Sequence, residues 1–505
     1  MNLVPIANGG RIALADLPLL TYQELGRTIH EQLQAGGRLA AFFADRENDG
    51  AGLFIYGVLT AGPGKPLTVS RARIEGPQQS LTPLCQQLHL FEREIAEQYG
   101  IPFAGHPWFK PVRFHASRTG HDAWNRPADK HPQVGDIDYF RVEGEEIHEV
   151  GVGPVHAGII EPGHFRFQCY GERVLHLEIS LGYQHRGIER MLLGGPDPQT
   201  PYRIETMAGD TSIGHMSAYA SVLEGLSGIQ APPRAIAIRA IALELERLAN
   251  HVGDIGALAG DIGFLPTSSF CGRLRGDYLN LTAGICGSRF GRGLIRPGSV
   301  LFHIEPALAD KMVASLEMVA EHTRGALHLF FETPSVLARL EGTGRVTPAD
   351  GATLGLTGVA GRACGIDCDS RREPGNPLWY GTEEIPPILE NDGDVMARAR
   401  VRQREIEHSL SFLKKRLTSL PAGELSHPLA PPAPDSLGVA MVEGWRGAVT
   451  HAALTDGAGR FRCYKVVDPS FLNWSGLAMA LRDEQISDFP LCNKSFNLSY
   501  CGFDL

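Results

Sequence analysis

The sequence predicts an α+β protein: a small N-terminal α+β domain over residues 1–115, a linker over 116–145, and a mainly α-helical bundle domain with peripheral β-hairpins over 146–505. Three observations carry this. A capped helix followed by three short apolar or alternating runs marks the first domain. Polar residues without periodicity fill ASRTGHDAWNRPADKHPQVGDIDYFRVEGE, residues 116–145. Beyond them, long stretches repeat apolar residues at steps of three and four, the spacing of one buried helix face.

In chain order, TYQELGRTIHEQLQA (21–35) opens with Thr21 and Glu24 at capping-box spacing and closes on Gly36-Gly37, so it is a helix. RLAAFFADR, AGLFIYGVLT and LTVSRARIE follow as strands of one sheet. A second helix fits Pro83 to Tyr99, with Gly100 just past its end. After the linker, two alternating runs flank a Gly/Pro-containing stretch near residues 153–163 and read as a hairpin. Its loop either carries His156, Glu161 and His164 into a cavity or leaves them solvated. ALELERLANHVGDIGALAGDIGF sets Ile241, Leu245, Leu248, Val252, Ile255, Leu258 and Ile262 on one stripe. Glu244, Glu246, Arg247, His251, Asp254 and Asp261 lie on or beside the other face, where charges usually meet solvent or another subunit. Further helices fit ADKMVASLEMVAEHTRGALHLFFE and GDVMARARVRQREIEHSLSFLKKRL.

The totals narrow the function classes. With 47 basic against 57 acidic residues the net charge is -10, which argues against nucleic-acid binding as the main task. No stretch approaches the roughly 18 apolar residues of a membrane helix, and the start lacks the pattern of a secretory signal. A cytoplasmic location with peripheral attachment to a membrane complex is therefore expected. The nine cysteines include no Cys-x-x-Cys, so reduced, mostly buried thiols are expected. No G-x-G-x-x-G follows a strand and opens a helix, so no dinucleotide site is expected.

Several segments resemble a known family. FEREIAEQYGIPFAGHPWFKPVRF resembles the signature of the small hydrophilic complex I subunit that abuts the quinone-site subunit, through Glu92, Arg93, Glu94, Tyr99, Gly100, Gly105, His106 and Pro107. Gly153-Pro154, His156, Glu161-Pro162 and Gly182-Tyr183 through Glu189 resemble the complex I quinone-site subunit and the large subunits of group 4 [NiFe] hydrogenases. TPYRIETMAGDTSIGH (200–215) resembles the first hydrogenase metal-binding pair, Cys-Gly-x-Cys-Ser-x-x-His, with Gly209, Ser212 and His215 in place. Ala208 and Thr211 stand where the thiolates would be. At the other end, Asn497, Leu498, Ser499 and Gly502 align with Asp-Pro-Cys-x-x-Cys, so the second pair is missing too. Glu443, Gly444, Arg446 and Gly447, and Pro469, Ser470, Phe471 and Asn473, match two further family segments.

A nickel-iron centre needs soft, deprotonated sulfur ligands, and Ala208, Thr211, Ser499 and Gly502 offer none. The resemblance therefore implies a subunit without a NiFe centre, in a membrane-associated complex, with any [4Fe-4S] cluster in a partner small iron-sulfur subunit and with antiporter-type membrane subunits alongside. It implies a quinone cavity in the metal's place. Tyr202 aligns beside a family quinone-site Tyr, and His156 and Glu161 are hairpin candidates for the same chemistry. His164, Glu205, Asp210 and His215 are candidate cavity residues; Glu205 and Asp210 serve equally as caps or salt-bridge partners. Two other readings remain: a redox-silent coupling subunit between an oxidoreductase and an antiporter-like arm, and a hydrogenase or formate hydrogenlyase with unusual ligands.

Overall fold

In the computed structural model, which describes residues 2–46, 52–62, 65–124, 126, 132–156, 160–373 and 385–505, the first helix forms where the capping box predicts it. Glu24 N–H donates to Thr21 Oγ1 at 3.2 Å and Thr21 N–H to Glu24 Oε2 at 2.8 Å, starting α1 (Tyr22–Gln34). Its Leu25 and Ile29 are buried against an antiparallel sheet of β4 (Arg38–Arg46), β5 (Leu53–Thr60) and β6 (Leu67–Ile74), extended by β1 (Val4–Ile6) and, parallel to β6, β3 (Leu19–Leu20). Ala51, the first residue of the second expected strand, lies outside the described residues.

The second helix is shorter than expected. α2 runs His89–Tyr99, after a 3-10 turn at Gln86–Leu88, and closes on Gly100 in the left-handed region. Glu92, fully buried, accepts hydrogen bonds from Tyr22 Oη, Ser80 Oγ, Leu81 N and Thr82 Oγ1 at 2.5–2.7 Å. Those bonds fix residues 80–82 ahead of the helix, and Cys85, at φ -139° and ψ 88°, leaves the helical region, so the turn after Pro83 does not run on into α2. Glu94, two residues on, pairs with Lys465 at 2.6 Å and with Arg113, joining this helix to the far end of the chain.

β2 (Gly10–Ala13) also crosses over. It pairs with β10 (Ser436–Glu443), which continues through β11 (Ala448–Thr455) to β12 (Phe461–Val467) in one antiparallel sheet. Over 116–145 no helix or strand occurs among the described residues; residues 125 and 127–131 of that linker lie outside them. The expected hairpin is β8 (His164–Tyr170) on β7 (Ile147–Val152), with β9 (Arg173–Ser180) as a third strand.

The bundle comprises α3 (Ser212–Ser227), α4 (Pro233–Asp261), α5 (Leu265–Cys286), α6 (Pro306–Glu332) and α7 (Val395–Thr418), with α8 (Pro469–Ala480) after β12. Most of the charged face of α4 is not solvated; only Asp261, at its end, is exposed among the six charged residues and histidine named on it. Glu244, Arg247 and His251 are fully buried and Asp254 nearly so. They meet a lattice supplied by distant segments: His251 Nε2 lies 2.6 Å from Glu405, Arg362 binds Glu405 and Glu443 at 2.6 and 2.7 Å, and Arg371 binds Asp369 and Glu405 at 2.6 and 2.9 Å. Opposite charges inside the protein replace the water that the sequence pattern anticipates.

Candidate functional site

At the N-terminus of α3 the chain turns through Ala208–Thr211, with Thr211 N–H donating to Ala208 O at 3.0 Å. Glu246 of α4 accepts the Ile213 and Gly214 N–H groups at 2.8 and 3.2 Å, an acid set at a helix's positive end. The Asp210 carbonyl accepts from Asn250 Nδ2 and Trp445 Nε1 at 3.1 and 3.0 Å. Arg446, in the β10–β11 turn, grips the Asp210 carboxylate with both Nη atoms at 2.7 and 2.8 Å, reaches Thr211 Oγ1 at 3.3 Å, and donates from Nε to Asn497 O at 2.5 Å. One guanidinium therefore ties together the two segments that are about 290 residues apart.

The C-terminal segment is equally engaged. Ser499 Oγ accepts from Gly502 N at 2.9 Å and lies 3.3 Å from Cys501 Sγ; Ser499 N donates to Ser470 Oγ. Asp468, the cap of α8, accepts from Ser470 N at 2.8 Å and faces His215 Nε2 at 3.1 Å. A Cβ placed on Gly502 would stand 2.7 Å from the Asp468 carboxyl carbon. These residues do not fit a nickel-iron centre. Thr211 and Ser499 already spend their hydroxyls on protein partners, Ala208 carries only a methyl, and Asp468 fills the space a side chain at 502 would need. Among the described residues no three His, Cys, Asp or Glu groups are placed to hold a metal ion.

Of the residues the sequence singles out, Asp210 and His215 flank this cradle. Glu161, exposed, stands near its C-terminal wall: burial raises the Cys501 thiol, and the charges of Glu161, Asp210 and Asp468 add to that rise. His156 and His164 instead hold their own hairpin loop, through Gly163 O at 2.9 Å and Gly153 O at 3.2 Å. Tyr202, 63% exposed, and Glu205, buried, belong to a neighbouring face around Arg296, which lies 5.5 Å from the Tyr202 ring and 2.7 Å from the Glu205 carboxylate.

The electrostatics follow from partners. Burial pushes the Asp210 carboxyl up, but the Arg446 charge and its hydrogen bonds outweigh burial and hold the group below the usual range. Burial likewise opposes ionisation of Asp468, and the His215 bond and charge, with Arg446, overcome it. Glu246 goes the other way: burial raises it to about 8 in spite of its two backbone bonds, with Asp210 adding repulsion. Glu246 is visible in the sequence only as part of a charged helix face, and Asp468 only as the residue before a family segment; their places at the cradle, like the tie of Arg446 to Asp210, are purely tertiary.

Comparison with known proteins places this geometry. The family profile described as "Respiratory-chain NADH dehydrogenase, 49 Kd subunit" matches residues 261–436, and the one described as "Respiratory-chain NADH dehydrogenase, 30 Kd subunit" matches residues 64–135. The NADH-quinone oxidoreductase subunit 4 of Thermus thermophilus is 30% identical over 371 residues, 68% of this chain and 90% of that protein. The carbon monoxide-induced hydrogenase of Rhodospirillum rubrum is 28% identical, over 69% of this chain and 97% of its own length. Formate hydrogenlyase subunit 5 of Escherichia coli is 27% identical, over 93% and 85%. Among solved structures, a chain of an archaeal membrane-bound sulfane sulfur reductase complex shares the fold with a TM-score of 0.64 at 22% identity, covering 72% of this chain and 99% of that one.

Proposed function

The chain belongs to the complex I 30 kDa/49 kDa subunit family, as a fusion of both parts related to group 4 [NiFe]-hydrogenase large subunits, and we propose that it serves a membrane-associated respiratory complex as a nickel-free subunit passing electrons from a partner's iron-sulfur cluster to quinone. One observation carries the reading: both former ligand segments stay together around one cradle, yet Arg446, Asp210 and Asp468 line it where sulfur would be. Reducing a quinone to a quinol takes two electrons and two protons. The electrons come from the partner's cluster. The chain contributes ionisable groups at the cradle, Asp210 and the Asp468–His215 pair, with Glu161 at its edge, and Arg446 fixes where Asp210 stands. The partners are a small iron-sulfur subunit and antiporter-type membrane subunits. In this reading the chain attaches peripherally on the cytoplasmic side; no helix among the described residues is long and apolar enough to cross a membrane.

A specific observation favours a second reading. Arg446 bridges the two walls of the cradle, as a plug would, which suits a redox-silent coupling subunit. Gly209 separates the two. It is exposed at the cradle's rim, and the nearest atom to a Cβ there is Arg292 Nη2 at 3.8 Å, so a side chain fits without strain. In the intact assembly, Gly209→Phe is expected to cut quinol formation at least about tenfold while the partner's cluster is still reduced; unchanged quinol formation sinks the quinone reading. Tyr202→Phe is a finer probe, and unchanged turnover removes Tyr202 from the site.

A further inference from the structure

Behind the cradle, four buried groups form an unbroken line. Asp468 Oδ2 lies 3.1 Å from His215 Nε2, His215 Nδ1 lies 3.1 Å from His451 Nε2, and His451 Nδ1 lies 2.9 Å from Tyr464 Oη. α8's cap, α3, β11 and β12 each supply one member, and all four are at most 2% exposed. We propose that these four groups bind and release one proton as a unit, held at His215, with Asp468, which abuts Gly502 in the cradle, as its counter-ion and Tyr464 and His451 as positioning residues for His215.

The argument is an inventory of donors and acceptors. An ionised Asp468 only accepts, so His215 Nε2 carries a hydrogen. With His215 neutral, its Nδ1 accepts from His451 Nε2–H, and His451 Nδ1 accepts from the Tyr464 hydroxyl. Every ring nitrogen is then paired and the four groups carry one negative charge. One added proton makes His215 a donor at both nitrogens. His451 must then accept at Nε2 and donate from Nδ1 to Tyr464 Oη, so the two hydrogen bonds beyond His215 reverse together and the net charge becomes zero. Burial, and the charge of His215, push His451 well below the usual histidine range, so it does not hold the proton alone. Burial, then Tyr219, push Tyr464 well above the tyrosine range, so no tyrosinate forms. The other groups facing the line are Arg446, which favours an anionic Asp468, and Asp210 and Cys501 on the cradle side.

The functional consequence rests on the quinone reading above. When a quinone takes two electrons from the partner's cluster, the four groups give up one of the two protons, their own charge going from zero to minus one as the two hydrogen bonds beyond His215 reverse; solvent supplies the other and later restores the first.

The test is nitrogen NMR of the full chain with isotope-labelled histidine, followed from about pH 5 to 9. The expected result is one shared midpoint, at which His215 gains a proton on Nδ1 while the His451 proton moves from Nε2 to Nδ1. His451→Phe leaves a cationic His215 with no acceptor at Nδ1, so its midpoint is expected to fall by about one to two pH units. His451→Gln, which returns a carbonyl acceptor, is expected to restore most of that shift. Separate midpoints, a His451 proton fixed on Nε2, no change of either ring across the range, or an unmoved midpoint in His451→Phe each overturn the proposal. No quinone is needed, so a shared midpoint in a chain whose assembly forms no quinol keeps the four-group unit and discards the quinone reading.

Discussion

Two carboxylates two positions apart on one helix behave in opposite ways, and the contrast separates architecture from chemistry in this molecule. Glu244 faces the arginine lattice: burial raises it, but Arg247 and Arg371 prevail and hold it at about 2. Glu246 faces the cradle and rises to about 8. Residue type, helix and depth are shared, so the partners decide. In the lattice, arginines and carboxylates meet each other almost completely, and Asp369 and Glu405 are driven far down by Arg371 and Arg362 against the opposing effect of burial. Such groups keep one charge state and define shape. Around the cradle, Arg446 holds Asp210 down and His215, with Arg446, holds Asp468 down while burial keeps Glu246 up, which leaves Glu246 able to change protonation near neutral pH.

The largest expected effect breaks the lattice. Arg362→Met removes the guanidinium bound to the buried Glu443 and one of the cations around Glu405, and should cost roughly 3–5 kcal/mol, read as a drop in chemical-denaturation midpoint of the full chain. A cost near that of an exposed ion pair would mean the lattice is relieved by structural adjustment. Arg446→Met probes the other region. Asp210 is about a third exposed by side chain, so solvent compensates it and stability should fall by only about 1 kcal/mol, while quinol formation by the assembly falls at least about tenfold. Equal losses of stability in the two variants would erase the contrast.

The smallest effect is a slope. The Glu246 carboxyl is raised above its unfolded value of 4.5, so the folded state binds more protons than the unfolded one between pH 4.5 and about 8, and stability falls as pH rises through that window. Glu244, lowered, contributes stability above pH 4.5 that disappears as pH falls toward about 2. Glu246→Gln should flatten the neutral slope by on the order of 1–2 kcal/mol and leave the acid limb alone, measured by urea unfolding at a series of pH values. A slope that survives the substitution assigns it to another group.

Much of the fold is legible locally because its signals are local. Thr21 and Glu24 cap their own helix, Gly100 ends α2, and the stripe from Ile241 to Ile262 fixes α4. That Ala208 and Thr211, and Ser499 and Gly502, stand where the resemblance expects cysteines is also legible, as a pattern. What sequence reasoning misses is the partner that comes from far away. Glu244 and Arg247 read as surface because Arg362, Arg371 and Glu405, more than 100 residues later, are what bury them. The start of α2 shifts because Cys85 leaves the helical region between Pro83 and the helix. His215 is visible in a motif, yet its hydrogen-bond partners, His451 and Asp468, are 236 and 253 residues downstream. Tyr202, chosen by resemblance, stands on an exposed face beside Arg296, outside the cradle's own hydrogen bonds.

The central claim is that the cradle works without nickel. Its most direct test is to measure metal content and quinone-dependent turnover on one preparation of the intact assembly. The account predicts quinol formation with nickel no higher than background. A stoichiometric nickel ion that stays with this chain, and whose removal abolishes turnover, would contradict it.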